Sequence, residues 1–194
     1  IVFGDWSSDV CSSDLGGGVT ASDIMYHRLT ELRRCRPGLP VIAIVEDVGA
    51  SGAYYLACGA DTILAHPTSI VGSIGVIVQT VSFAGTMRKL GIDAHAVVSG
   101  PYKDMGSPLK PLSAEDRQVI QAMVNQYYEG FVKVVCDGRP KLAQDQVRSL
   151  ADGRVYSGTD AAANGLIDAT GYMADAVALA RTRSGARQIG RAHV

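Results

Sequence analysis

Net charge is almost absent from this sequence: 18 Lys and Arg against 19 Asp and Glu leave a formal balance of −1. A chain so near neutrality gives no electrostatic reason to expect nucleic acid or an anionic membrane as partner. Long apolar runs are missing too. None reaches the roughly 18 residues a spanning helix needs, and no signal peptide is visible. The four cysteines (Cys11, Cys35, Cys58, Cys136) are widely spaced with no C-x-x-C. That argues against a metal site or a disulfide framework and leaves the compartment open. There is no internal repeat and no low-complexity linker. What is present is ordinary: 194 residues, 47% hydrophobic and 19% charged, enough for one soluble globular domain with a sizeable core.

The two ends differ from the rest. Asp5–Leu15, DWSSDVCSSDL, and Gln188–Val194, QIGRAHV, resemble translated sequencing adapters, and neither shows a helical period or strand alternation. Residues 1–15 and 188–194 are therefore read as foreign, much as a cloning scar would be. The natural domain then runs over 16–187, with its true beginning missing.

Val41–Ala57, VIAIVEDVGASGAYYLA, organises what remains. Val41, Ile42, Ile44 and Val45 read as a buried parallel strand, and a helix is expected to begin near Ser51. A serine at a strand-to-helix turn has its hydroxyl at the carboxyl end of the sheet, beside helical N–H groups with no partner. Such donors can hold a developing oxyanion. Equally, Ser51 can simply cap the helix. The pattern is not the G-x-S-x-G elbow, because the second glycine follows the serine directly.

Upstream, Gly16-Gly17-Gly18 precedes a helix over Ala21–Arg34, a place where backbone can approach something closely. The G-x-x-x-x-G-K-[ST] phosphate loop is absent. Downstream, strands are expected over Thr62–Ala65, Ile70–Val78 and Ile92–Val98, with a helix over Ser82–Leu90. A loop over 99–108 follows, and Ser113 with Asp116 resembles a capping box opening the longest helix. Its expected buried stripe is Val119, Ile120, Met123, Val124, Tyr127, Tyr128, Phe131, Val134 and Val135. Helices over Ala143–Leu150, Thr159–Asn164 and Tyr172–Arg183 complete the chain, with a turn-rich 152–158 and a strand-like Leu166–Asp168 between them.

Candidates for chemistry are few. His27, His66, His95 and His193 neighbour no motif holding both a serine and an acid, so a Ser-His-Asp arrangement is unsupported. Glu46 and Asp47 end the central strand as an acid or base, or as solvated carboxylates. Lys103 is a surface lysine, or the base a serine requires if burial lowers its pKa. Ser73 is structural, or a hydrogen-bond partner for such a lysine.

Taken together, VEDVGASGAYYLACGADTILAHPTSIVGSIGVI, SGPYKDMGSP and ADGRVYSGTDAAANGLID resemble the signal peptide peptidase A (protease IV) family of bacterial serine proteases. The likeness covers nearly all of 16–183, in the same order. It implies an α/β fold of the ClpP/crotonase-like type, a mostly parallel sheet flanked by helices and truncated at its amino terminus. It also implies a Ser-Lys dyad of Ser51 and Lys103, supported by Ser73, with an oxyanion hole from the N–H groups of Gly17 and Gly52. The family's N-S-P-G-G loop is represented by Gly16-Gly17, with Ser13-Asp14-Leu15 standing where Asn-Ser-Pro is expected.

The implied activity is endopeptidase cleavage, through an acyl-enzyme, of peptides such as hydrophobic signal peptide remnants. Substrate would lie extended along Gly18, Val19, Gly72 and Ile74. No cofactor, metal or nucleic acid is implied. The resemblance further implies a homo-oligomeric ring in which the lysine can come from a neighbouring subunit, and a membrane-associated protein on the bacterial cell membrane. Its catalytic domain would be extracytoplasmic, held by an anchor in the missing amino-terminal part. The rival expectations are a crotonase-like acyl-CoA enzyme, betrayed by CoA binding, a non-catalytic peptide-binding scaffold, and a phage-capsid protease of the same broad family.

Overall fold

The structure, a computed structural model, describes Val2–Phe3 and residues 17–185. The adapter-like stretches 5–15 and 188–194, together with Gly16 and His193, lie outside the described residues. In chain order the elements are β1 (Val2–Phe3), α1 (Val19–Cys35), β2 (Ile42–Val45), β3 (Val48–Ala50), α2 (Gly52–Ala57), β4 (Thr62–Ala65) and β5 (Ile70–Gly72). Then come α3 (Ala84–Lys89), α4 (Ala114–Gly138), α5 (Gln144–Leu150), β6 (Val155–Ser157), α6 (Gly158–Ala163), β7 (Ala169–Thr170) and α7 (Met173–Ser184).

The chain divides into two compact units, one of residues 1–75 with 129–194, the other of 76–128. The first holds both sheets. One has the order β1-β2-β4-β7 and is parallel throughout, with Ile42 paired to Thr62 and Val45 to Ala65. The other has the order β3-β5-β6, parallel between β3 and β5 and antiparallel between β5 and β6. The fold is therefore the expected α/β arrangement, a mostly parallel set of strands flanked by helices.

Strand β2 is central because its side chains are apolar on both faces, and all four are buried. Ile42 and Ile44 share one face and pack with Leu64 against Ala176 and Ala180, small residues that let α7 approach the sheet. Burying one such isoleucine contributes about 1.5–3 kcal/mol. Polar groups at the strand ends are satisfied by side chains: Asp61 Oδ2 accepts from the Val41 N–H at 2.8 Å, and Asp168 Oδ2 from the Ile63 N–H at 2.8 Å. Arg139, nearly buried, donates to that same Asp168 oxygen at 2.8 Å. The buried Tyr54 hydroxyl donates to the Leu166 carbonyl at 2.6 Å, tying α2 to the segment ahead of β7.

The second unit holds α3 and the first half of α4. Here three sequence expectations fail. Residues 73–81 do not continue β5, and 92–98 form no strand. The apolar stripe of α4 is buried only over its later part, at Phe131, Val134 and Val135. Val119, Met123 and Tyr127 are exposed. A period of apolar residues fixes which face is apolar, but burial needs something packed against that face.

Membrane association is corrected as well: among the described residues no helix is long and apolar enough to cross a bilayer. The longest, α4, carries Glu115, Asp116, Arg117, Glu129, Lys133 and Asp137.

Candidate active site

Everything at the site follows from how β3 ends. After Ala50 the chain turns sharply at Ser51, whose φ of 52° and ψ of −120° lie where non-glycine residues are strained by about 1–3 kcal/mol. Gly52 then begins α2. The Ser51 N–H donates to the Gly72 carbonyl at 2.8 Å, and the Ser51 carbonyl accepts from Tyr55 at 2.9 Å, so the turn is clamped from both sides. The hydroxyl makes no capping bond to the helix, which disposes of the simpler reading of this serine as a cap.

The partner of that clamp is equally constrained. Gly72 has φ of 97°, and a Cβ there would lie 2.9 Å from the Tyr156 ring and 3.1 Å from the Arg154 carbonyl. Ser73 follows with φ of 51°, its N–H donating to that Arg154 carbonyl at 2.8 Å. Ser51 and Ser73 are thus brought to the same end of the β3-β5-β6 sheet, coupled through Gly72. Ile74 is fully buried. From Ile74 to Gln79 the chain makes no backbone hydrogen bond among the described residues.

Gly17 and Gly52 approach each other closely. A Cβ on Gly52 would collide with Ser22 Oγ and stand 3.2 Å from the Gly17 nitrogen. Only glycine fits at this contact. Gly18 is the residue ahead of α1 and Val19 is already its first helical residue, so Val19 offers no strand edge to a peptide. Ser22, one turn into α1, is 3% exposed, and its hydroxyl has no hydrogen-bond partner among the described residues. It touches the Gly17–Gly52 contact yet carried no signal in the sequence beyond being a helical serine.

Helices α1 and α2 are held together beside this point. Tyr55 donates to Asp23 at 2.7 Å and stacks edge-on with Tyr26, ring centres 5.3 Å apart. Burial, then the Asp23 carboxylate, pushes the Tyr55 phenol well above its ordinary range. Cys58, fully buried at the end of α2, has its thiol pushed up to about 12 by burial and is inert as a nucleophile.

Of the other candidates some belong to the first unit and some to the second. His27 pairs with Glu31 at 3.6 Å on the exposed face of α1, and His66 packs on the Tyr172 ring at 4.6 Å. His95 is exposed in the second unit, and Glu46 and Asp47 are exposed beyond β2. Lys103 also belongs to the second unit, exposed in a run of turns, its N–H donating to the Gly100 carbonyl at 3.1 Å.

Several curated relatives of this chain are named as proteases. A relative from Methanocaldococcus jannaschii, named as a candidate protease, is 41% identical over 84% of this chain and 51% of its own length. A candidate signal peptide peptidase SppA of Enterococcus faecium is 38% identical over 84% of this chain and 46% of its own. The chloroplastic serine protease SPPA of Arabidopsis thaliana is 33% identical over 87% of this chain and 24% of its own. The chain thus spans about half the length of the first two of these relatives. Among solved structures, an enoyl-CoA hydratase/carnithine racemase from Magnetospirillum magneticum is 15% identical, with a TM-score of 0.46 over 93% of this chain and 50% of that one. The model of peptidase family S49 matches residues 33–187, well over half of the sequence, and the chain belongs to that family.

Proposed function

We propose that the protein is a serine endopeptidase acting through a Ser51–Lys103 dyad on peptides such as hydrophobic remnants of signal peptides. The observation that carries this reading is the Ser51 backbone: a non-glycine residue held at positive φ, at a sheet end, with its hydroxyl unused by any cap. Strain of this kind gathers where geometry serves chemistry. Family membership supports a protease of the S49 type or a related crotonase-fold enzyme.

In the proposed reaction the neutral Lys103 amine takes the Ser51 proton as Oγ attacks the scissile carbonyl. The N–H groups of Gly17 and Gly52 receive the oxyanion. The Lys103 ammonium then protonates the departing amine, leaving an acyl ester on Ser51. Lys103, neutral again, takes a proton from water, which attacks the ester and releases the acid. The Ser73 hydroxyl holds the amine in place. The substrate runs past Gly18 and Gly72, and the backbone groups of 74–79, unpaired among the described residues, support its binding as an added strand.

A lysine base must be shielded from water to stay neutral, and Lys103 is exposed in the single chain. The proposal therefore includes a homo-oligomeric ring in which a neighbouring copy covers or receives it. A fluorophosphonate probe tests the proposal: covalent labelling at Ser51 is expected, lost in Ser51→Ala and weakened in Lys103→Ala. An assembled protein that is not labelled, or is labelled elsewhere, overturns it; CoA binding in its place points to acyl-CoA chemistry on this fold.

A further inference from the structure

We propose that Ser22 is a positioning residue for the oxyanion hole: its buried oxygen is the spacer that sets Gly52 against Gly17. The inference rests on the reading above, in which the N–H groups of those two glycines receive the oxyanion, and deepens it. The point where a Cβ on Gly52 would stand is in close contact with Ser22 Oγ and 3.2 Å from the Gly17 nitrogen. The Gly17 Cα lies 3.5 Å from the same point. Residues 17, 22 and 52 thus meet with no side chain from either glycine between them.

Ser22 reaches this contact from a fixed frame. It lies one turn into α1, a helix of 17 residues, and its N–H donates to the Gly18 carbonyl at 3.0 Å. Its neighbour Asp23 accepts from the Tyr55 hydroxyl at 2.7 Å, which ties α1 to the helix that Gly52 begins. A shift of the Ser22 oxygen therefore has to be taken up by the two glycines.

The chemistry favours an oxygen at this place. The Gly52 Cα–H that stands in for a Cβ points at Ser22 Oγ, a weak polar contact that a methyl group could not make. A helical serine commonly donates to a carbonyl of the preceding turn, and this one does not. Among the described residues the hydroxyl has no hydrogen-bond partner, although the residue is 3% exposed. A buried hydroxyl in that state costs the free protein stability, so its presence calls for a reason other than the fold. The site supplies one. An acceptor bonded squarely to the Gly17 N–H would consume a donor that the oxyanion needs. Ser22 spaces the glycines without capturing either, and among the described residues neither the Gly17 nor the Gly52 N–H donates to a backbone carbonyl.

The test separates a spacer for the reaction from a spacer for the fold. In Ser22→Ala the oxygen is gone but no hydrogen bond is lost, so the protein is expected to melt close to the parent or above it. In the assembled protein kcat for peptide hydrolysis is expected to fall about tenfold or more, with KM within about twofold, because a misplaced oxyanion donor is felt in the transition state. Labelling of Ser51 by the fluorophosphonate slows in step. An unchanged kcat, or a loss carried by KM alone, overturns the proposal. So does a variant that melts well below the parent or does not fold, since the hydroxyl would then serve the fold.

A second readout needs no activity. In the full chain carrying isotope-labelled glycine, the amide NMR signals of Gly17 and Gly52 are expected to move in Ser22→Ala, while those of Gly165 and Gly171 stay. Gly17 and Gly52 signals that stay put overturn the proposal whatever Ser51 does. A parent whose Ser51 takes no probe ends the dyad reading, and the glycine signals then still decide whether Ser22 sets these two amides.

Discussion

Ile42 and Ile44 in the first unit are 0% and 2% exposed, while Ile77 and Ile92 in the second are 80% and 50% exposed, though all four lie in β-branched runs. The difference is one of partners. Strand β2 has a strand on each side and α7 across one face, so its backbone groups and side chains are satisfied together. The runs at 74–81 and 92–98 have no ladder partner among the described residues, and an unpaired strand is no strand at all. The first unit carries the buried apolar core. The second carries Val78, Val81, Phe83, Leu90, Val97, Val98 and Leu109 open to solvent, together with Lys103. The proposed nucleophile, Ser51, belongs to the first unit and the proposed base, Lys103, to the second.

Several measurements would break or sharpen this contrast. The largest effect is expected at the rigid end. In Gly52→Ala the new methyl meets Ser22 Oγ and the Gly17 nitrogen, so both proposed oxyanion donors shift, and on the proposed mechanism peptide hydrolysis should fall about a hundredfold or more. Activity within a few fold of the parent would show that this contact does not shape the site. Next come paired core truncations read by denaturant melts. Ile44→Ala is expected to lose about 2–5 kcal/mol as a buried cavity, whereas Ile77→Ala should change the stability of the dilute chain by less than about 0.5 kcal/mol. Equal losses would erase the distinction between the units.

A smaller effect concerns Asp168. Burial raises its pKa, but the Ile63 N–H and then Arg139 outweigh that and hold the folded value below the ordinary one. A depressed folded pKa means stability that is complete above the unfolded value of about 3.9 and is lost as pH falls through the folded one. Asp168→Asn should therefore cost about 1–2 kcal/mol at neutral pH, toward the low end because the carboxylate is partly solvated. The difference from the parent should close below about pH 4. A deficit that persists in acid would mean the charge is not what matters. Finally, amide exchange over 42–45 should be protected at every protein concentration, while protection over 92–98 should appear only as concentration rises. Concentration-independent protection of 92–98 would reveal a strand partner within the chain.

Much of the first unit was legible because local pattern and tertiary setting agree there. The apolar run at 41–45, the helix after Ser51 and the strand at 62–65 all fall where their periods place them. The strand β6 at Val155–Ser157 was read as turn-rich, since Asp152, Gly153 and Gly158 flank a run of only three residues that gains its place by pairing with β5. Likewise β7 lies at Ala169–Thr170 and not at Leu166–Asp168, because the parallel pairing with β4 begins after Asp168 has turned its side chain to Ile63 and Arg139. In the second unit the pattern of Ile92–Val98 announced a strand but could not announce that no partner pairs with it among the described residues.

At the site, Ser51 and its glycines were visible as a motif. Ser22 was not, since what distinguishes it is a buried hydroxyl with no partner among the described residues.

The most direct measurement is the reaction of the assembled protein with a fluorophosphonate, followed by peptide mapping. Stoichiometric modification of Ser51 alone, abolished by Ser51→Ala and slowed by Lys103→Ala, is the predicted result. An assembled protein that hydrolyses peptides with Ser51 unmodified, or with Lys103→Ala indistinguishable from the parent, would contradict the account.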